Sequence, residues 1–211
     1  MFDYIDLYCE RTAAGLWGEP LNALTNLAFL LAAWRLWRSE VWRRGGADLR
    51  LLVLLLAAIG IGSGVWHFTA QRWAMWADVL PIMFFIGVYV LVFLSRVARL
   101  SGGMTAILFL LFLAVHGGLA WTVPRDALNG SVLYLPAVAA VWLMPAYLRF
   151  TERPEWRPFA LAAGLLALSV GLRSVDRFLC AALPTGTHFL WHLLNAAVLY
   201  LLLRAGFSAS R

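Results

Sequence analysis

The chain has 211 residues, of which 63% are hydrophobic and only 13% are charged, and its mean hydropathy is +0.78. This composition excludes an ordinary water-soluble domain and indicates an integral membrane protein. The net charge of +6 reflects 17 basic residues, all of them arginine. In a membrane protein such an excess follows from topology and anionic lipid headgroups, so it gives no reason to expect a nucleic-acid partner.

Residues 1–19 are polar and acidic, without the basic and then apolar pattern of a secretory signal peptide. Apolar runs of about 20 residues, enough to cross ~30 Å of hydrocarbon, follow one another along the rest of the chain. We expect a single all-α domain over residues 1–211, a seven-transmembrane helix bundle with residues 1–19 as a short extracytoplasmic segment. The predicted spans are Leu21–Trp37, Leu49–Phe68, Met75–Leu94, Met104–Trp121, Val132–Leu148, Pro158–Leu179 and Thr187–Leu203.

The arginines are divided unequally between the two ends of these spans. By the positive-inside rule, the richer side is cytoplasmic, which places the N-terminus outside and the C-terminus in the cytoplasm. Arginine without lysine, together with abundant Leu and Ala, is typical of a bacterial gene and hence of an inner-membrane protein. The richer side carries Arg35, Arg38, Arg43, Arg44, Arg50, Arg96, Arg99, Arg149, Arg153, Arg157, Arg204 and Arg211; the other carries Arg11, Arg72, Arg125, Arg173 and Arg177.

Polar side chains recur at helical spacing inside the predicted spans. Ser63 and His67 are four residues apart in the second span and share one helix face, as do His188 and His192 in the seventh. Asp78 lies near the outer beginning of the third span. Because the second span runs outward while the third and seventh run inward, we expect all five side chains to reach one layer beneath the outer surface.

These residue types are the ones that a catalytic zinc site requires. Three neutral imidazoles can hold zinc and leave a fourth position for water, and the carboxylate of Asp78 can take that water's proton. The alternative is that Asp78 caps the third helix and the histidines form hydrogen bonds between helices. An ionised Asp costs roughly 3 kcal/mol at the centre of a membrane helix, so such groups are mostly paired or functional. The whole set therefore favours a membrane-embedded zinc hydrolase.

Other polar residues receive structural interpretations. His116 in the fourth span has no metal-binding partner four residues away, and the neighbouring Gly117 and Gly118 predict close helix packing there. We interpret the cluster Arg173, Asp176 and Arg177, at the outer end of the sixth span, as setting the orientation of that end.

Two cysteines occur, Cys9 before the first span and Cys180 after the sixth. Under the predicted topology both lie on the oxidising outer side, where a disulfide can persist. Two unlinked thiols are the alternative.

The ordered motifs resemble those of the alkaline ceramidases, in a superfamily of seven-span hydrolases that also contains adiponectin-receptor-like proteins. The matches are Ser63-x3-His67, Asp78 eleven residues later, and His188-x3-His192. The likeness covers nearly the whole chain. It extends to YCER at Tyr8 to Arg11, GEPLNALTN at Gly18 to Asn26, and Asp176-x3-Cys180.

The resemblance implies an amidohydrolase that cleaves a ceramide-like or other N-acyl membrane lipid with metal-activated water. Zinc is the implied cofactor, and a disulfide is implied between the two cysteines. The implied residues are His67, His188 and His192 as zinc ligands, Asp78 at the zinc-bound water, Ser63 beside the oxyanion, and Cys9 with Cys180 as the disulfide.

The eukaryotic ceramidases also have a calcium site close to the zinc, and Glu10 and Glu19 match two of its acidic positions. Leu7 and Thr12, however, stand where an Asp and an Asn are expected. Calcium prefers roughly six to eight oxygen ligands, and Asp3 or Asp6 could supply a missing one. The alternative is that Glu19 only forms the N-terminal turn of the first helix.

Two further classes of function remain open. One is a non-catalytic lipid sensor or receptor in which zinc merely braces the bundle. The other is a transporter, which is disfavoured because the paired halves with broken helices typical of transporters are not visible in the sequence.

Overall fold

The computed structural model describes residues 3–124 and 126–210, and within these the only β pairing is an isolated bridge between Tyr4 and Gln71. Six segments of this part of the chain are helical, long and apolar enough to cross a membrane. The protein is therefore a multi-pass, all-α membrane protein, as the composition predicts. Arg125 and Arg211, which entered the topology prediction, lie outside the described residues. The α-helices are α1 (Pro20–Thr25), α2 (Leu27–Trp37), α3 (Glu40–Arg44), α4 (Ala47–Thr69), α5 (Arg72–Val92), α6 (Gly102–Thr122), α7 (Leu135–Phe150), α8 (Trp156–Val175) and α9 (His188–Ala209).

The first predicted span, Leu21–Trp37, is divided into α1 and α2. The division falls at Asn26, whose side-chain amide donates to the carbonyl of Asn22 at 2.7 Å. That carbonyl would otherwise accept the backbone N–H of Asn26, so the side chain competes with the helix. Asn26 keeps right-handed helical angles, and α1 and α2 together cover the predicted span.

The other six predicted spans each coincide with one long helix, with shifted ends. The fifth begins at Leu135 instead of Val132, because Leu128, Asn129 and Gly130 adopt left-handed backbone angles inside an irregular 3-10 segment, Ala127–Tyr134. A single π-helical turn, Phe93–Val97, follows α5, and after it the chain turns towards α6. These departures are local, and the helical layout follows the hydrophobic pattern.

Helices α4 and α5 approach each other closely at Gly62. A methyl group at this position would overlap the backbone carbonyl of Ala77, so only glycine fits. Gly62 precedes Ser63, and Ala77 precedes Asp78. The close approach therefore brings two of the predicted site residues together.

Helix α6 packs far less tightly than its sequence predicts. Gly117 and Gly118 are exposed, and an added methyl group would meet no atom within 4 Å at either position. The prediction of close helix packing at these glycines is therefore wrong. His116 is half-buried, with its ring 6.3 Å from that of Phe112. Most of the apolar surface of α6 is left facing outward, where lipid would cover it.

Backbone carbonyls from separate helices meet at the arginine-rich end of the bundle. The guanidinium of Arg153 donates to the carbonyls of both Val97 and Ala209. Nearby, Arg96 pairs with Asp48 at 2.6 Å. These contacts join the ends of α5 and α9 to the loop before α8.

The N-terminal segment covers the opposite end of the bundle. The N–H of Ile5 donates to the carbonyl of Ala70 at 2.9 Å, which holds the segment over the turn between α4 and α5. Cys9 and Cys180 form a disulfide, so the prediction of a bond between them is confirmed. The segment is thereby tied to the loop that precedes α9.

Replacing Gly62 with alanine should lower the free energy of unfolding by ~1–3 kcal/mol, because the new methyl group has to push α4 away from Ala77. Gly64→Ala is the matched control on the same helix, since its methyl group would meet only Asn26 Cβ at 3.9 Å. Thermal unfolding of the purified protein in one detergent compares the two. Equal melting temperatures for both variants would contradict the close approach.

Candidate metal and active site

Three histidines from two helices converge inside the bundle. His67 lies in the last turn of α4, while His188 and His192 lie in the first turns of α9. All three side chains are buried, with at most 3% of each residue exposed. One ring nitrogen from each lies within 4.8 Å of the others. In the described part of the chain, this is the only group of three or more His, Cys, Asp or Glu side chains close enough to share an ion.

The orientation of the His67 ring is held by a buried carboxylate. Nδ1 of His67 is 2.6 Å from Oε2 of Glu19, and neither side chain is exposed. An ionised carboxylate can only accept, so Nδ1 carries the proton. Nε2 then has a free lone pair that points into the site.

His192 is oriented by a threonine of α1. Nδ1 of His192 is 2.9 Å from the hydroxyl oxygen of Thr25, and that hydroxyl donates its single proton to the carbonyl of Leu21 at 2.7 Å. Because the proton is already used, the oxygen can only accept from Nδ1–H. The lone pair of His192 is therefore also on Nε2.

His188 is held by stacking and by its own backbone. Its ring stacks on that of Tyr8 with 4.0 Å between centroids, and its N–H donates to Oδ1 of Asp176 at 2.9 Å. Burial raises the pKa of the Tyr8 phenol, which stays protonated and accepts a hydrogen bond from Nε1 of Trp66. The N-terminal segment thus forms one wall of the site.

Each histidine leaves one buried nitrogen without a hydrogen-bond partner: Nε2 of His67, Nδ1 of His188 and Nε2 of His192. A buried polar atom without a partner costs ~1–3 kcal/mol. Three such atoms within reach of one another fit a metal ion, which would accept all three lone pairs.

Ser63 and Asp78 lie beside the histidines. Ser63 is buried one turn before His67, about 6 Å along α4, and the close approach of α4 and α5 at Gly62 and Ala77 places it next to Asp78. Oδ1 of Asp78 is buried and has no partner of its own. Residues from three distant parts of the sequence, α4, α5 and α9, therefore converge at one end of the bundle.

The side chain of Asp176 caps the start of α9. The sequence predicted only that it belongs to a charged cluster at the outer end of the sixth span, so this role was not foreseen. Asp176 is fully buried, and Oδ1 accepts the N–H groups of both Thr187 and His188, at 2.6 and 2.9 Å. Oδ2 accepts the N–H of Cys9 at 3.2 Å. Gly186 has a φ of 59°, and a methyl group there would overlap Oδ1 of Asp176. The position of Asp176 before a helix with two candidate ligand histidines is the signal that could have identified it.

Arg173 also turns inward, although the sequence assigned it to topology. Its guanidinium lies 5.3 Å from the ring centroid of Tyr134 and 5.4 Å from that of Trp191. It donates to the hydroxyl of Ser131 at 3.0 Å. Arg177, the third member of the predicted cluster, is exposed. The cluster is thus divided between the interior and the surface.

Comparison with known protein families identifies the chain. A family model described as Ceramidase matches residues 7–207. The chain belongs to the ceramidase family. No curated protein matches the sequence. Membership supports a membrane enzyme that hydrolyses ceramide and acts on a lipid substrate, and all the site residues described above lie within the matched range.

The predicted calcium site of this ceramidase finds no support in the structure. Both carboxylate oxygens of Glu10 accept backbone N–H groups of α1, from Leu21 at 2.7 Å and Asn22 at 2.8 Å. Glu19 is the residue before α1, as the alternative interpretation expected, and its carboxylate pairs with Arg11 and His67.

The nearby aspartates do not complete a calcium site either. Asp6 is exposed, and the carboxylate of Asp3 lies 3.3 Å from Arg72. The residues present therefore do not fit an ion that prefers roughly six to eight oxygens.

An apolar cavity lies directly beneath the site. Its lining begins one helical turn below the site residues, with Ile59 below Ser63, Ile82 below Asp78, and Asn195 below His192. Deeper in the bundle, the lining includes Phe85, Tyr89, Met144, Leu166 and Leu202.

Replacing Thr25 with valine keeps the shape of the side chain but removes the oxygen that accepts Nδ1–H of His192. We expect the affinity of the three-histidine site for a divalent metal ion to fall by ~10–100-fold, the usual effect of losing the partner of a ligating histidine. Thr25→Ser is the matched control and should bind like the wild type. Competition with a metal-sensitive chelating dye measures both, and equal affinities would refute the role of Thr25.

Proposed function

We propose that this ceramidase is a zinc-dependent amidohydrolase that cleaves the amide bond of a ceramide-like or other N-acyl lipid. The observation that carries the proposal is the set of three buried imidazole nitrogens without partners, one helical turn from the place where Ser63 and Asp78 are brought together. Family membership supports the substrate class.

Zinc fits the donor set better than other common ions do. Three neutral histidine nitrogens with one position left open are the ligands of many catalytic zinc sites, whereas calcium and magnesium prefer oxygen. When bound, zinc would lower the pKa of a coordinated water toward ~7 and polarise the attacked carbonyl.

The proposed roles of Asp78 and Ser63 follow from their atoms. Oδ1 of Asp78 is a buried acceptor without a partner, suited to orient the attacking water and to take its proton. The Ser63 hydroxyl can turn from Asp78 to the substrate and donate to the charge that develops on the carbonyl oxygen. Asp78 can then return the proton to the leaving amine, so that a fatty acid and an amine are released.

The cavity beneath the site suits an acyl chain. Its lining is almost entirely apolar, and it begins one turn below the residues that would attack the amide. A lipid whose chain occupied this cavity would present its amide group at the level of Ser63 and Asp78. With the predicted topology, the site would lie near the outer face of a bacterial inner membrane.

His192→Ala should abolish both zinc binding and hydrolysis, because it removes one of three nitrogen ligands. His116→Ala is the matched control, since His116 lies on α6 and outside the histidine group. Elemental analysis of the purified protein and release of a labelled acyl chain from N-acyl lipids measure the two properties. Full hydrolytic activity in a protein stripped of zinc would refute the mechanism.

Asp78→Asn separates an enzyme from a zinc-braced lipid sensor. We expect the variant to keep zinc but to lose hydrolytic activity by ~10²–10⁴-fold, the usual contribution of general acid–base catalysis. The exposed Asp126 provides the control variant Asp126→Asn, which should remain fully active. A wild type that binds lipid and zinc without any turnover would favour the sensor.

A further inference from the structure

A buried arginine lies next to the three-histidine site. Arg11 is 5% exposed as a residue, and its side chain is completely covered. Arginine is almost never buried to this degree unless it is paired. Its position in the N-terminal segment, outside the predicted spans, gave no sign of this burial.

The guanidinium of Arg11 occupies a site built from several elements. It forms an ion pair with Oε1 of Glu19 and donates to the carbonyl of Ile5. It also lies over two aromatic rings, with 4.5 Å to the centroid of Trp66 and 5.3 Å to that of Tyr8. Both rings attract a cation through their π faces.

Burial lowers the pKa of the Arg11 guanidinium. Arginine nevertheless starts from so high a value that it remains charged in proteins. Arg11 is therefore a permanent buried cation.

Glu19 connects Arg11 to the histidine site. One carboxylate oxygen pairs with Arg11, while the other accepts Nδ1–H of His67 at 2.6 Å and the amide of Asn22 at 3.1 Å. A carboxylate with no exposed surface stays ionised only when a cation or several donors compensate it. Without Arg11, a buried carboxylate oxygen of Glu19 would lose its partner, and the carboxylate would no longer be held in the orientation that accepts Nδ1–H of His67.

We propose that Arg11 is a resident cation that serves, in this ceramidase, in place of a calcium ion beside the histidine site. Its guanidinium holds one carboxylate oxygen of Glu19, and the other oxygen holds Nδ1–H of His67, so that Nε2 is directed into the histidine site. Arg11 and Glu19 are thus positioning residues. The inference rests on the proposed zinc site.

The decisive experiment is a double-mutant cycle on the full-length protein in detergent. Arg11→Met removes the charge and should weaken zinc binding by ~10–100-fold, because His67 loses its oriented partner. Glu19→Gln is neutral, and its amide oxygen still accepts Nδ1–H of His67. The double variant Arg11→Met/Glu19→Gln should therefore bind zinc more tightly than Arg11→Met alone. Competition with a chelating dye gives each dissociation constant.

Arg72→Met is the matched control, because Arg72 is an exposed arginine that pairs with Asp3 of the same N-terminal segment. It should bind zinc like the wild type. Arg11→Lys, which keeps the charge without the planar fork, should fall between the wild type and Arg11→Met. Wild-type affinity in Arg11→Met would overturn the inference. So would a double variant no better than the single one, since Arg11 would then act through packing.

Calcium titration of the wild type tests the same inference without any variant. Calorimetry with calcium on calcium-free, zinc-loaded protein should give no saturable heat, and calcium should leave the melting temperature unchanged. Saturable binding would overturn the inference even if the variants failed to fold. A wild type that retains no zinc would instead refute the proposed function, so the two failures are distinguishable.

Discussion

The three-histidine site depends on the free-energy cost of burying imidazole lone pairs without hydrogen-bond partners inside an apolar helix bundle. Three buried ring nitrogens, on His67, His188 and His192, have no hydrogen-bond partner. Each ring is nonetheless held in place, by a carboxylate, by a threonine hydroxyl, or by stacking and a capped backbone. Such a constellation is unfavourable by itself and becomes favourable when a cation accepts the lone pairs. The free-energy penalty of burying these nitrogens without partners is the physical basis for expecting a metal ion there.

The N-terminal segment is what makes this arrangement rigid. It is fastened by the disulfide to Cys180, by the bond from Cys9 to Asp176, and by the carboxylate of Glu10 at the start of α1. Asp176 caps α9 at the same place, so the helix that carries two of the three histidines is fixed against the segment that covers them. A segment that the sequence predicts only as a short extracytoplasmic stretch therefore forms one wall of the histidine site. Its buried Arg11 brings a positive charge close to the three histidines, and the carboxylate of Glu19 lies between Arg11 and His67.

The membrane setting explains why the helices of the bundle are buried to such different extents. Helices α4 and α9 carry the site and are buried along half of their length, whereas α6 is almost entirely open. Lipid is as apolar as the side chains of α6, so that helix gains little from further packing against protein. The apolar cavity lies among α5, α7, α8 and α9. An acyl chain in this cavity would exchange one hydrocarbon environment for another, so recognition has to come from the polar layer above it.

The sequence by itself determined the helical membrane class, six of the helices, the disulfide partners and the family, because hydrophobic length and i, i+4 spacing are local properties that a single chain displays. It also predicted that Ser63, His67, Asp78, His188 and His192 would share a layer. Only the tertiary structure decided that Asn26 breaks the first span, that Gly117 and Gly118 face outward, and that Arg173 and Asp176 turn inward. It likewise showed that the carboxylates of Glu10 and Glu19 are engaged by partners within the described part of the chain. These outcomes depend on which distant groups pair with a given carboxylate or carbonyl in the folded chain. Neither the spacing of residues nor the composition specifies that pairing.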